Sequence, residues 1–172
     1  MILRPEKNEY AVFYETYVSL VEETDIVATL QTQLTEMQNL LAGISEEKGA
    51  FAYATDKWTI KEVIGHLSDG EKIFAYRALR ISRADKTPME GFEQDGYVEN
   101  ADFNARQLTD LAEEFALLRR ANNLFFKSLT AEAWQRRGTA SDAEFSVRAL
   151  AYIMVGHVRH HANILRSRYL DQ

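Results

Sequence analysis

The chain has 172 residues, 46% of them hydrophobic and 27% charged, with a net charge of −6, two prolines and no cysteine. That length fits one domain, residues 1–172, with its own core. The missing thiols exclude disulfides, thiolate metal sites and a cysteine nucleophile, and basic residues scattered among a larger acidic set offer no concentrated positive face for nucleic acid. No apolar run approaches membrane-spanning length and the first residues carry no leader pattern, so a cytoplasmic protein with no membrane partner is expected.

Helical periodicity dominates from the start. Tyr10, Phe13, Tyr14, Tyr17 and Leu20 fall at helical spacing; after the polar break Glu22 to Asp25, so do Ile26, Leu30, Leu34, Met37 and Leu41. A short helix followed by a longer one is expected. Residues 43–50 read as a loop or single turn, and residues 51–58 are too irregular to assign. Thr59 and Glu62 form a capping box that opens a helix running to about Arg83. Residues 84–102, with Pro88, Gly91 and Gly96, form a long polar connection of the kind used as a lid or crossover.

A third long helix follows to about Leu129, with Leu108, Leu111, Phe115, Leu118, Asn122 and Phe125 as its inner stripe. Thr130 caps a short turn through Trp134. After a loop at Gly138 to Asp142, Ser146 caps a last helix extending to about Leu170. Strands have little room. The fold class is all-α, a four-helix bundle with a long crossover loop.

Three of the four histidines fall within five residues: His157, His160 and His161. At about 100° per residue, Leu150, Met154, His157, His161, Ile164 and Leu165 share one arc, so His157 and His161 face the core. His160 lies at its edge, as a surface or supporting group. An i, i+4 pair projects two imidazoles one turn apart, a spacing that suits either a hydrogen-bonded core pair or a clip for one cation. The cation resolves the difficulty of burying four ring nitrogens side by side. A third ligand must come from elsewhere, and the remaining histidine is His66, on the helix capped by Thr59. Both His66 and His157 follow a glycine, Gly65 and Gly156, which suggests close helix approach.

Val158 stands where a zincin motif requires glutamate, so the peptidase reading lacks its base. Asp69 and Glu71 are alternative carboxylates near His66; Glu71, inside an otherwise apolar arc, serves either the site or a salt bridge to an inward arginine such as Arg148.

The segments Lys57-Trp58-Thr59-Ile60-Lys61-Glu62-Val63-Ile64-Gly65-His66-Leu67, Phe74-Ala75-Tyr76-Arg77-Ala78-Leu79-Arg80-Ile81 and Ser146-Val147-Arg148-Ala149-Leu150-Ala151-Tyr152, the last leading to Gly156-His157 and His160-His161, together resemble the DinB-like superfamily, in the branch that includes YfiT-type metal-dependent hydrolases. The similarity extends over nearly the whole chain, including Arg4-Pro5, Glu9-Tyr10 and the Gly91-Phe92 to Tyr97 stretch. It implies a four-helix bundle of unusual connectivity, commonly a homodimer, with a metal held by one histidine of the second long helix and two of the last. Those positions correspond to His66, His157 and His161.

On such a site two enzyme readings are open. A divalent ion, zinc or nickel first among the candidates, activates either a water for hydrolysis or a low-molecular-weight thiol for S-transfer to a small-molecule substrate. The lack of an evident base beside His157 weighs toward the thiol. The alternative is a noncatalytic metal-binding stress-response bundle. No catalytic side chain is assigned. Trp58, Arg77, Tyr97 and the 84–102 loop are candidates to shape a substrate pocket, against the simpler readings of Trp58 as a core anchor and Arg77 as a surface ion pair.

Overall fold

Four helices of 17 to 23 residues, three of them opened by a side-chain cap, set the frame. Asp25 accepts from the Ala28 N–H at 3.1 Å and opens α2 (Ile26–Ala42), which buries Ile26, Leu30, Leu34, Met37 and Leu41 as their spacing predicts. The Thr59–Glu62 capping box is formed and opens α4 (Ile60–Ser82). Helix α6 spans Leu108–Lys127, and Ser146 accepts from the Ala149 N–H at 3.0 Å to open α8 (Val147–Ile164). The remaining helices are short: α1 (Glu15–Val18), α3 (Glu46–Gly49), α5 (Gln94–Asn100) and α7 (Ala131–Gln135). The computed structural model describes residues 2–170; Met1, Asp171 and Gln172 lie outside the described residues.

Helix α2 packs against α6 and α8, and α4 packs against the same two, so α2 and α4 face each other across a diagonal. Helices α4 and α6 run parallel. Asn104, just before α6, bonds to Thr59 and Glu62 at the start of α4; further along, Lys72 pairs with Glu114, and Glu71 with Arg119 and Asn122. Parallel neighbours cannot be joined by a tight turn, so residues 83–107 travel back along the bundle as the crossover. Among the described residues no helix is long and apolar enough to cross a membrane.

Two features differ from the expectation of helices alone. Residues 137–146 form an antiparallel hairpin, β1 (Arg137–Ala140) and β2 (Ala143–Ser146), turned by Ser141 and Asp142, both at positive φ. Two central residues with φ > 0 are what a two-residue hairpin turn requires. Met89 of the crossover joins the hairpin edge, accepting from Ser141 N–H and donating to Thr139. The other feature is α5, a two-turn helix inside the crossover, capped by Glu93. At the N-terminus, the aromatic spacing yields 3₁₀ turns and the single α-helical turn of α1, leaving Phe13 exposed.

The core falls into two apolar clusters. One gathers Phe74, Ile81, Phe126, Phe145, Val147 and Ala149 to Val155; the other gathers Met37, Ile64, Leu67, Phe115 and Leu165. Polar side chains are buried as well: Gln33 on α2, His66 and Glu71 on α4, Arg119 and Asn122 on α6, and His157 on α8.

Candidate metal centre

The i, i+4 spacing on α8 turns His157 and His161 toward α4, where His66 meets them. The three ring centroids form a nearly equilateral triangle, with His66–His157 at 4.8 Å, His66–His161 at 4.9 Å and His157–His161 at 4.8 Å. One ligand nitrogen from each lies within 4.8 Å of the other two. The Nε2 atoms of His66 and His157 are 2.9 Å apart. Two nitrogens on a tetrahedral zinc sit about 3.4 Å apart, from bond lengths of about 2.0–2.1 Å, so small ring shifts bring all three onto one ion. The donor set fits a divalent metal.

Electrostatics favour the lone pairs. Burial pushes the His66 pKa down to about 4. Burial, then the neighbouring His66 and His160 rings, pushes His161 down to about 3, while burial followed by the other imidazoles holds His157 well below 6.5. All three are neutral at pH 7, the form that binds a cation.

Close packing places the rings. A Cβ on Gly70 would meet His157 Cε1 at 2.9 Å and Nδ1 at 3.1 Å, so the α4 backbone approaches the ring where only glycine leaves room. A Cβ on Gly156 would strike the Tyr17 carbonyl oxygen at 2.1 Å, and one on Gly65 would strike the Phe103 ring at 2.4 Å. Gly156 and Gly65 thus reflect close approach, of α1 and of the crossover, whereas Gly70, which clears the histidine itself, does not adjoin a histidine in the sequence. Tyr17, seated by the Gly156 contact, sets its ring 5.2 Å from His157 and 5.5 Å from His160, and Phe74 lies 5.8 Å from His157.

Trp58 closes another side, 4.8 Å from the His66 ring and stacked at 6.4 Å on His161. The irregular segment carrying it is fixed by the π-helical continuation of α8, residues Leu165–Leu170, where the Tyr169 hydroxyl donates to the Trp58 carbonyl at 2.6 Å. A cavity of about 750 Å³ opens beside Trp58 and His161, lined also by Glu62, Asp95, Val98 and Glu99. Helix α5 therefore belongs to the surroundings of the triad.

The other candidates resolve by their partners. His160 is partly buried against Tyr17 and outside the triad. Asp69 pairs with Lys72 at 3.3 Å. Glu71 is paired with Arg119, whereas Arg148 pairs with Glu9. Among the described residues Arg77 forms no surface ion pair: it is 2% exposed and donates to the Glu90 carbonyl and the Ser141 hydroxyl. Tyr97 lines a separate cavity with Arg77.

A four-helix bundle with parallel neighbours, carrying three convergent imidazoles on its second and last long helices, defines the class. The chain belongs to the DinB superfamily, whose sequence pattern matches residues 29–165. Its fold is similar to that of YfiT from Bacillus subtilis, described as a probable metal-dependent hydrolase with an unusual four-helix bundle topology, at TM-score 0.65 and 16% identity over 94% of this chain and 91% of that one. It is also similar in fold to a mycothiol-dependent maleylpyruvate isomerase, at TM-score 0.69 and 10% identity over 90% of this chain, which spans 62% of that longer one. No curated protein matches it in sequence.

Proposed function

We propose that the protein is a metal-dependent enzyme whose divalent ion, zinc or nickel, is held by His66, His157 and His161 and serves to activate a low-molecular-weight thiol for transfer to a small electrophile. The observation that carries this reading is the convergence of three neutral imidazoles at the edge of a cavity large enough for a small molecule. Three neutral ligands leave a divalent ion its full charge and an exchangeable position, which acidifies a bound thiol or water.

The chain's own groups favour the thiol. The buried carboxylate nearest in sequence to His66, Glu71, has both oxygens engaged by Arg119 and Asn122. Tyr17, Phe74 and Trp58 wall the triad with rings and exclude water from those sides. Likeness in fold to a mycothiol-dependent enzyme agrees with a thiol co-substrate. Hydrolysis is the second reading, and one observation favours it: Asp95 and Glu99 line the same cavity as His161, carboxylates placed to serve as bases.

A paired assay separates the readings. Protein reconstituted with zinc or nickel is given small thiols with an electrophilic acceptor, and in parallel a panel of activated esters. Thiol-dependent consumption of the acceptor, absent in His157→Ala, supports the first reading. Ester turnover lost in Asp95→Asn or Glu99→Gln supports the second, and turnover in neither assay leaves a noncatalytic metal-binding bundle.

A further inference from the structure

Arg77 differs from the other deeply buried arginine. Arg119, fully buried, is paired with Glu71; Arg77, 2% exposed, forms no ion pair among the described residues. Its Nη2 donates to two neutral oxygens, the Glu90 carbonyl at 3.0 Å and the Ser141 hydroxyl at 2.8 Å, and its buried Nη1 has no acceptor. A guanidinium stays charged at any physiological pH, and a buried charge without a counter-charge is unfavourable. The neighbouring cations do not share this lack, since Lys72 pairs with Glu114 and Arg80 with Asp85.

Arg77 lines a cavity of about 470 Å³ at the start of the crossover, where Tyr76, Phe92 and Tyr97 also face. Tyr76 and Tyr97 are each about half exposed, and the Phe92 ring lies 5.9 Å from the guanidinium carbon. Glu90 is the acidic residue in the lining, and its side chain is exposed. An unpaired fork donor beside aromatic rings is the arrangement that recognises a planar or tetrahedral oxyanion on an apolar body.

We propose that this cavity is an anion-binding site, separate from the histidine triad, that takes the carboxylate or phosphate of a small aromatic ligand. The anion's oxygens bond to the Arg77 guanidinium, and the ligand's ring lies among Tyr76, Phe92 and Tyr97. Ser141, exposed at the hairpin tip, yields its hydroxyl's place on Nη2 to the incoming oxygen. The site ties α4, the crossover and the hairpin together, so occupancy stabilises the fold around α5.

Calorimetric titration of the intact chain at constant ionic strength tests this, using phenyl phosphate, benzoate and inorganic phosphate. Saturable 1:1 binding is expected, weaker for inorganic phosphate than for phenyl phosphate. Affinity should fall at least tenfold in Arg77→Gln. Should that variant not fold, Ser141→Asp decides: its carboxylate supplies the missing counter-charge at a positive φ that Asp tolerates, so it should raise Tm and abolish binding. Tyr97→Ala should bring phenyl phosphate down toward inorganic phosphate. Absence of saturable binding to the wild-type chain, or binding that survives in Ser141→Asp, overturns the proposal. The preference between phenyl phosphate and benzoate assigns phosphate or carboxylate as the group recognised.

Discussion

Two polar clusters share the middle of this bundle and are built on opposite plans. In one, every strong group is matched: Arg119 donates through Nε and Nη2 to the Glu71 carboxylate at 3.1 and 2.5 Å and through Nη1 to Gln33 at 2.8 Å, Gln33 donates to the Val155 carbonyl, and Asn122 donates to Glu71. In the other, His66, His157 and His161 turn ring nitrogens toward a common point, and the single contact between them, at 2.9 Å, uses one donor and one acceptor at most. The closed network has no valence left for a ligand and links all four long helices. The open one has lone pairs to spare. Burial and polarity are common to both; what marks a candidate site is convergence without internal satisfaction.

Breaking each cluster should therefore have a different consequence. The largest effect on stability is expected from Glu71→Ala, which leaves the Arg119 charge buried and unpaired; the loss should be about 3–5 kcal/mol by urea denaturation. His157→Ala should do the reverse. It removes a buried imidazole whose protonation is already suppressed, so metal-free stability changes less, while stoichiometric metal content, measured on purified protein by mass spectrometry, disappears.

A pH titration sharpens the contrast further. The triad's folded pKa values lie below the ordinary 6.5, with His66 at about 4 and His161 at about 3, so as pH falls the unfolded chain takes up protons first. Stability of the metal-free protein is then full above pH 6.5 and declines toward pH 4 and below, by up to about 1.4 kcal/mol per pH unit for each histidine. The same titration on His66→Ala should show a shallower slope, and an unchanged slope would remove the triad from the explanation. The smallest effect is expected for Gly70→Ala: its methyl must push the His157 ring by a few tenths of an ångström, weakening metal binding about tenfold with little change in fold, as read by metal competition and circular dichroism.

The long helices were legible because their signals are local. Thr59 and Ser146 cap as their positions suggest, Asp25 at the end of the polar break proves to be a further cap, and the apolar spacing of α2 matches its buried face. The triad was legible for the same reason, since an i, i+4 pair on an inward arc leaves one remaining histidine to complete it. The closed network was not. Arg119 belongs to the buried face of α6, and Phe126 fills the place expected for Phe125; Arg119 is buried against the Glu71 carboxylate of another helix, and no local periodicity reports such a pairing. Glu71 stands out inside an apolar arc, but its partner among several arginines depends on helix order around the bundle. The hairpin escaped because Ser141-Asp142 is an uncommon pair at a turn usually built with Asn-Gly or Asp-Gly. Helix α5 escaped because its seven residues carry few apolar positions.

In the proposed enzyme, three imidazoles from α4 and α8 share one cation. Anomalous diffraction from zinc-loaded crystals tests it most directly. A single strong peak is predicted inside the triangle of rings, with one nitrogen of His66, His157 and His161 each at about 2.0–2.1 Å. A peak elsewhere on the protein, or one reached by fewer than these three residues, would contradict it.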